Sequence, residues 1–222
     1  MKIRSIHAFP LALLLFHGCS TPPPAPVEEV VTVKPTHYLV VPMESPLLRL
    51  SGRASEAGMT VPDSLTAERG WSPGEWLAEE VQRQIRMSGR AASRADRTLP
   101  VEGSAGQAGL SVEAAWLDPV RQWYDSGREA SDYTVTAPDF ATDVLEVGLA
   151  NYSIEDLNLY LSVLIKVVDV ETGRVTGRAR VFSTTDLRPE DAFQDDARLF
   201  RETFAKTGRQ LVEKCLEQLG LR

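Results

Sequence analysis

The sequence predicts an α+β domain, with a small, mainly antiparallel sheet that contains a long hairpin and is packed by two main helices. Three observations carry this. Apolar residues alternate over Asp143–Ser183, a capped amphipathic segment opens at Ser72, and an apolar stripe runs from Phe200 to Leu219 near the C-terminus. A length of 222 residues, 43% hydrophobic and 25% charged, suits one such domain.

Two segments precede that domain. In residues 1–18, Lys2 and Arg4 form a positive region, Pro10–Phe16 is a short apolar run, and Gly18 stands before Cys19. The stretch Leu15-Phe16-His17-Gly18-Cys19 resembles a lipobox, after which bacteria cut the chain and acylate the new N-terminal cysteine. Phe16 and His17 depart from it, standing where an aliphatic and a small residue are commoner. The apolar run is far short of the ~20 residues that span a bilayer. A lipoprotein signal is therefore expected, with Cys19 as the lipidation site and an ordinary secretory signal as the competing reading. Residues 19–35 follow as a tether. Pro22, Pro23, Pro24 and Pro26 favour an extended polyproline-like chain, which at ~3.1 Å per residue reaches about 50 Å.

The domain proper is expected over residues 36–222. His37-Tyr38-Leu39-Val40-Val41-Pro42 reads as a buried strand. Gly52–Gly70 shows no sustained period and is expected to be a surface excursion. Ser72-Pro73-Gly74-Glu75 opens a helix with a capping serine, a proline at the first position and an acid completing a capping box. Leu77, Val81 and Ile85 give its apolar face and Ser88-Gly89 its stop. Residues 90–142 are expected to be a mobile or inserted region. Within it Trp116, Val120, Trp123 and Tyr124 suggest one or two short helical turns, interrupted at Asp118-Pro119.

Leu145, Val147 and Leu149 then alternate, as do Leu157, Leu159, Leu161, Val163, Ile165 and Val167. Glu171-Thr172-Gly173 makes a turn, and Val175–Val181 returns as the hairpin partner. Asp195 and Asp196 sit where the positive end of the last helix favours acids, and Gly220 ends that helix. The first strand is free to add parallel to the sheet through the Ser72 helix.

Tyr160–Val181 (YLSVLIKVVDVETGRVTGRARV) resembles the hairpin of a group of bacterial envelope lipoproteins. These are the curli-secretion (CsgG-like) lipoproteins, the penicillin-binding-protein activator lipoproteins and relatives of the TolB N-terminal domain. Asp169, Thr172 and Gly173 match their acidic strand end and Thr-Gly turn. Between Gly89 and Asp143 the chain departs from the group. The resemblance implies a fold and carries no binding residue across.

Composition restricts the partners. The net charge is −7, and loss of Lys2 and Arg4 with the signal makes the remainder more acidic. Binding to nucleic acid, which rests on Lys and Arg neutralising phosphates, is not expected. Of two cysteines, Cys19 is assigned to lipid, so Cys215 has no partner within the chain and is expected to be a small buried hydrophobe. Of three histidines, His7 and His17 lie in the signal. His37 alone remains, without a Gly-x-Ser-x-Gly elbow or a set of metal ligands, and is expected at a strand end without a catalytic role. Three carboxylate groups, Glu79-Glu80, Asp132-Asp139-Asp143 and Asp191-Asp195-Asp196, match no EF-hand loop. Glu79-Glu80 is expected on a solvated face. Gly103–Gly109 lacks the spacing of a phosphate loop.

No enzyme, cofactor or metal is expected. The function these features suggest is that of a lipoprotein of the outer membrane, facing the periplasm. It would be held to the membrane through lipid on Cys19 and act as an accessory or assembly subunit. Its partner would be another envelope protein or a second copy of the chain; Trp116, Trp123 and Tyr124 are the candidate contact if exposed, although packing within the inserted region is the favoured reading of these aromatics. Lipid or small-molecule binding is the alternative and would require an apolar cavity under the C-terminal helix. Carboxylate-dependent hydrolysis of envelope polymers comes third.

Overall fold

The computed structural model describes residues 36–102, 112–126 and 141–222, with the side chains of the middle segment described from residue 116 onward. Cys19, the tether, Gly103–Gly109, Asp132 and Asp139 lie outside the described residues.

Six strands form one mixed sheet: β1 (His37–Pro42), β2 (Arg49–Ser51), β3 (Ala91–Arg94), β4 (Asp143–Glu155), β5 (Asn158–Asp169) and β6 (Val175–Asp186). Their order is β3-β1-β4-β5-β6, with β2 pairing the far end of β4. The β4-β5-β6 meander is antiparallel, whereas β1 runs parallel to both β3 and β4. Alternation over residues 143–183 resolves into three strands. Asp156, at φ 52, begins the tight turn that divides β4 from β5, and Glu155 pairs with Asn158 across it.

Among the described residues five helices accompany the sheet: α1 (Arg53–Glu56), α2 (Pro73–Met87), α3 (Val112–Asp125), α4 (Pro189–Ala192) and α5 (Gln194–Gln218). The main core lies on one face of the sheet. There the odd-numbered residues of β5, from Leu159 to Val167, meet Leu77, Val81 and Ile85 of α2 and Phe200, Phe204, Leu211 and Cys215 of α5. Both apolar stripes fall where the helical period places them. Phe204 is fully enclosed, with the rings of Trp71, Trp76, Tyr152 and Phe200 around it at centroid distances of 5.4–6.3 Å. Edge-on aromatic pairs of this kind add about 0.5–1.5 kcal/mol each beyond area burial.

Several expectations need correction. α2 begins after Ser72 and stops before Gly89 (φ 83), but the Ser72 side chain makes no capping bond. The Glu75 carboxylate accepts instead from the Thr98 hydroxyl at 3.2 Å, which dissolves the capping box. The Gly52–Gly70 excursion does lie at the surface, but α1 and two short 3₁₀ turns order it and Ala54 and Leu65 are buried within it. The expected mobile stretch after Arg90 opens with β3, whose backbone pairs with β1 although only Ala92 is buried. Backbone bonding without apolar periodicity leaves little trace in a sequence.

β1, α2 and β3 thus make the parallel crossover that the Ser72 helix suggested. Asp195, Asp196 and Ala197 occupy left-handed conformation, so the two acids form a turn ahead of regular helix rather than its first turn. α3 is a single helix of 14 residues with Pro119 inside it, not two short turns. Proline removes one internal hydrogen bond, and anchors on either side of it, described next, hold the helix together.

Candidate interaction site

The second face of the sheet carries the even-numbered residues of β5. The run Val163-Leu164-Ile165-Lys166-Val167-Val168 is apolar in both phases apart from Lys166, so both faces must be covered. α3 supplies the second cover. Its Val120 and Trp123 pack with Met43, Val101, Ala150 and Leu164.

Three charged residues stand in register across this face. Glu146 of β4 is opposite Lys166 of β5, which is opposite Arg178 of β6. Glu146 and Lys166 are wholly enclosed, and Lys166 Nζ lies 2.8 Å from Glu146 Oε2. The Trp123 indole N–H donates to the same oxygen at 2.6 Å. Lys166 Nζ also donates to the Trp123 carbonyl at 3.0 Å and the Ser126 carbonyl at 3.5 Å, and sits 5.3 Å from the Trp123 ring centre. Arg178 reaches from the edge, donating from Nε to the Tyr124 carbonyl at 2.6 Å and from Nη2 to the Asp125 carbonyl at 3.0 Å. Two cations therefore bind the carbonyl end of α3, where the helix dipole is negative.

Local sequence makes room for this clamp. A Cβ on Gly148 would lie 2.8 Å from the Trp123 ring, so only glycine leaves the ring space to rest on β4. At the bulge between Leu149 and Asn151, the Trp116 indole donates to the Leu149 carbonyl at 3.1 Å. One indole is thus anchored on each side of Pro119.

The predicted contact residues divide accordingly. Trp123 is 6% exposed and packs in the core, as the core-packing reading of these aromatics expects, with its indole bonded to a buried carboxylate. Trp116 and Tyr124 are half-buried at the rim, and partial burial pushes the Tyr124 phenol above its ordinary value. Glu146, Lys166 and Arg178 belong to no motif, and period-2 alternation alone does not say whether the even phase of β5 meets solvent or a second cover. The signal was present in Leu164 and Val168, which flank Lys166 in that phase.

Other candidates serve the framework. His37 Nε2 lies 3.1 Å from the Ser93 hydroxyl and its backbone N–H donates to Thr142 Oγ1 at 3.0 Å, tying β1 to its neighbours. The Cys215 thiol is enclosed, and burial pushes it up to about 12. Of the acidic pair on α2, Glu79 is exposed but Glu80 is 5% exposed, which corrects the solvated-face expectation. Burial raises its carboxyl. Hydrogen bonds from Arg83 and Gln84, with the charges of Arg83 and Arg209, more than reverse this and hold it below the ordinary carboxylate range. Gln84 also donates to the Arg209 carbonyl at 3.1 Å, so this cluster joins α2 to α5.

Where a lipid cavity would open, between sheet and α5, Phe200, Phe204, Leu211 and Leu216 fill the space. The groove of about 670 Å³ between α2 and α5 is open and lined by Arg83, Arg209 and Arg222. Among the described residues, no group of three or more His, Cys, Asp or Glu could hold a metal, and no helix is long and apolar enough to cross a membrane.

No protein-family model and no curated protein matches the chain. Among solved structures it is similar to protein XCC0632 from Xanthomonas campestris, at 12% identity over 84% of each chain with a TM-score of 0.47. It is also similar to the PelC dodecamer from Paraburkholderia phytofirmans, at 12% identity over 83% of this chain and 88% of that one, TM-score 0.40. Lipoprotein GNA1162 from Neisseria meningitidis is 14% identical over 80% of this chain and 96% of that one, TM-score 0.34. Likenesses at these TM-scores place the chain in no family.

Proposed function

We propose that the chain is an outer-membrane lipoprotein, acylated at Cys19, whose domain faces the periplasm and binds another envelope protein as a non-enzymatic accessory or assembly subunit. The observation that carries the reading is α3. Gripped at its carbonyl end by Lys166 and Arg178 and along its length by Trp116 and Trp123, it presents a fixed ledge. Trp116 and Tyr124 stand half-exposed there beside exposed Asp118, Arg121 and Gln122. A preorganised aromatic rim loses little freedom on binding, which is what concentrates affinity in a few residues. The lipid anchor rests on the signal-like residues before Cys19 and on the proline tether.

Crosslinking in intact cells, followed by mass spectrometry of the recovered full-length protein, tests the reading. One dominant envelope protein is expected, lost on Tyr124→Ala or Arg121→Glu in a domain with unchanged circular dichroism. A crosslinking pattern that both substitutions leave unchanged removes α3 as the contact. For the anchor, an alkynyl fatty acid should label the wild type and not Cys19→Ser. Equal labelling of the two would reject it.

A further inference from the structure

We propose that β6 is a self-association edge, pairing antiparallel with β6 of a second copy. This goes beyond the partner-binding reading and uses a different part of the surface. Among the described residues β6 is the last strand in the sheet order and its ladder runs to β5 alone. It is 12 residues long, and very short edge strands are one of the devices by which natural proteins avoid such pairing. Its inner face is covered by α5, where Thr185 and Thr207 hydroxyls meet at 3.1 Å. On its outer face Arg178, Arg180, Phe182, Thr184 and Asp186 are all exposed, and Phe182 is 75% exposed. An open edge strand with an exposed aromatic ring is a template on which another strand can pair.

The occupant follows from the residue pattern. Residues opposite one another in an antiparallel pair share a face, so a two-fold axis must pass through one residue of the strand. An axis at Arg180 sets Arg180 against itself while laying Arg178 over Phe182 of the second copy, and one at Ala179 sets Arg178 against Arg180 of the second copy, twice. An axis at Val181 sets Arg180 over Phe182 of the second copy, twice, and Thr176 opposite Asp186. An axis at Phe182 stacks the two rings and brings Arg178 opposite Asp186, again twice. Registers near the middle of the strand thus separate into two that bring arginines opposite one another and two adjacent ones whose facing pairs are free of like charge and attract by cation–π, aromatic or ion-pair contact. A strand built to discourage pairing would place like charges opposite in all of them.

Light scattering of the full-length protein in detergent micelles should give a dimer mass and, for Phe182→Arg, a monomer mass with an unchanged melting curve. Single cysteines at Val181 or Phe182, oxidised and run on a non-reducing gel, should give a disulfide dimer at the residue through which the axis passes. Cys215 is enclosed and does not compete. A wild-type protein that stays monomeric at every concentration overturns the proposal. So does a dimer that survives Phe182→Arg and gives no crosslink at either position, since its contact must lie elsewhere, with the tether of the same chain or another surface against β6.

Discussion

Both faces of the sheet are covered over its central strands β4 and β5, by different chemistry. On the first face α2 and α5 are held by apolar and aromatic contact, centred on Phe204. On the second, α3 is held by a smaller apolar cluster and by the Glu146–Lys166–Arg178 row acting on its carbonyl end. Apolar packing is non-directional and tolerates small shifts of a helix. A buried ion pair with hydrogen bonds to named carbonyls tolerates few. The net stability of such a pair is small, because desolvation offsets attraction. What it contributes is one position for α3, and a fixed position is what a binding ledge requires.

The largest effects should come from breaking each cover at its centre. Phe204→Ala removes the ring shared by four aromatic neighbours and should cost about 3–5 kcal/mol in chemical denaturation, with all probes moving together. Lys166→Met leaves the Glu146 carboxylate enclosed without its cation and should cost about 3–5 kcal/mol. Its signature is local, because amides of α3 should lose hydrogen-exchange protection before those of α5. Adding Glu146→Gln, which keeps an acceptor for the Trp123 indole, should recover most of that loss. If no recovery is seen, the row is not the clamp of α3.

Gly148→Ala is the next step down. The new methyl meets the Trp123 ring, and displacement of that ring should cost about 1–3 kcal/mol with exchange again confined to α3. Smallest are the effects of two carboxylates facing one another across β4 and β5, Asp143 and Asp169. Burial raises the Asp143 carboxyl, helped by the Asp169 charge and opposed by the Thr142 hydroxyl. Hydrogen bonds from the Thr172 hydroxyl and backbone N–H hold Asp169 low. The Asp169 contribution is therefore complete above its unfolded value of about 3.9 and fades as pH falls through the folded one. Asp143 has the opposite sign: its contribution is present below its unfolded value and is lost as pH rises through the folded one. Melting curves between about pH 2 and 6 should show Asp169→Asn flattening the acid limb and Asp143→Asn gaining on the wild type at the upper end.

Legibility in the sequence follows the same division. The apolar face could be read directly. Leu77, Val81 and Ile85, and Phe200, Phe204 and Leu211, fell on helical stripes, while Leu159 to Val167 fell on the strand period. The polar face could not, because Lys166 and Glu146 look like solvent-facing residues until a helix is known to lie above them. Ser72 shows a related limit. It marked the helix boundary correctly although its side chain forms no cap, since Pro73 and Gly89 are enough to start and stop α2. Pro119 misled in the other direction: two indoles anchored to the sheet outweigh one lost backbone bond.

The position of β1 has a consequence for the order of folding. β4, β5, β6 and α5 follow one another closely along the chain, and their mutual contacts close short loops. β1 lies between β3 and β4, and its bond from His37 to Thr142 spans 105 residues. Long loops close slowly, and their entropy must be met before any contact rewards it. The C-terminal meander can therefore condense first and hold an open parallel edge on β4. The first strand of the chain then arrives last, like a bolt sliding into a frame already built.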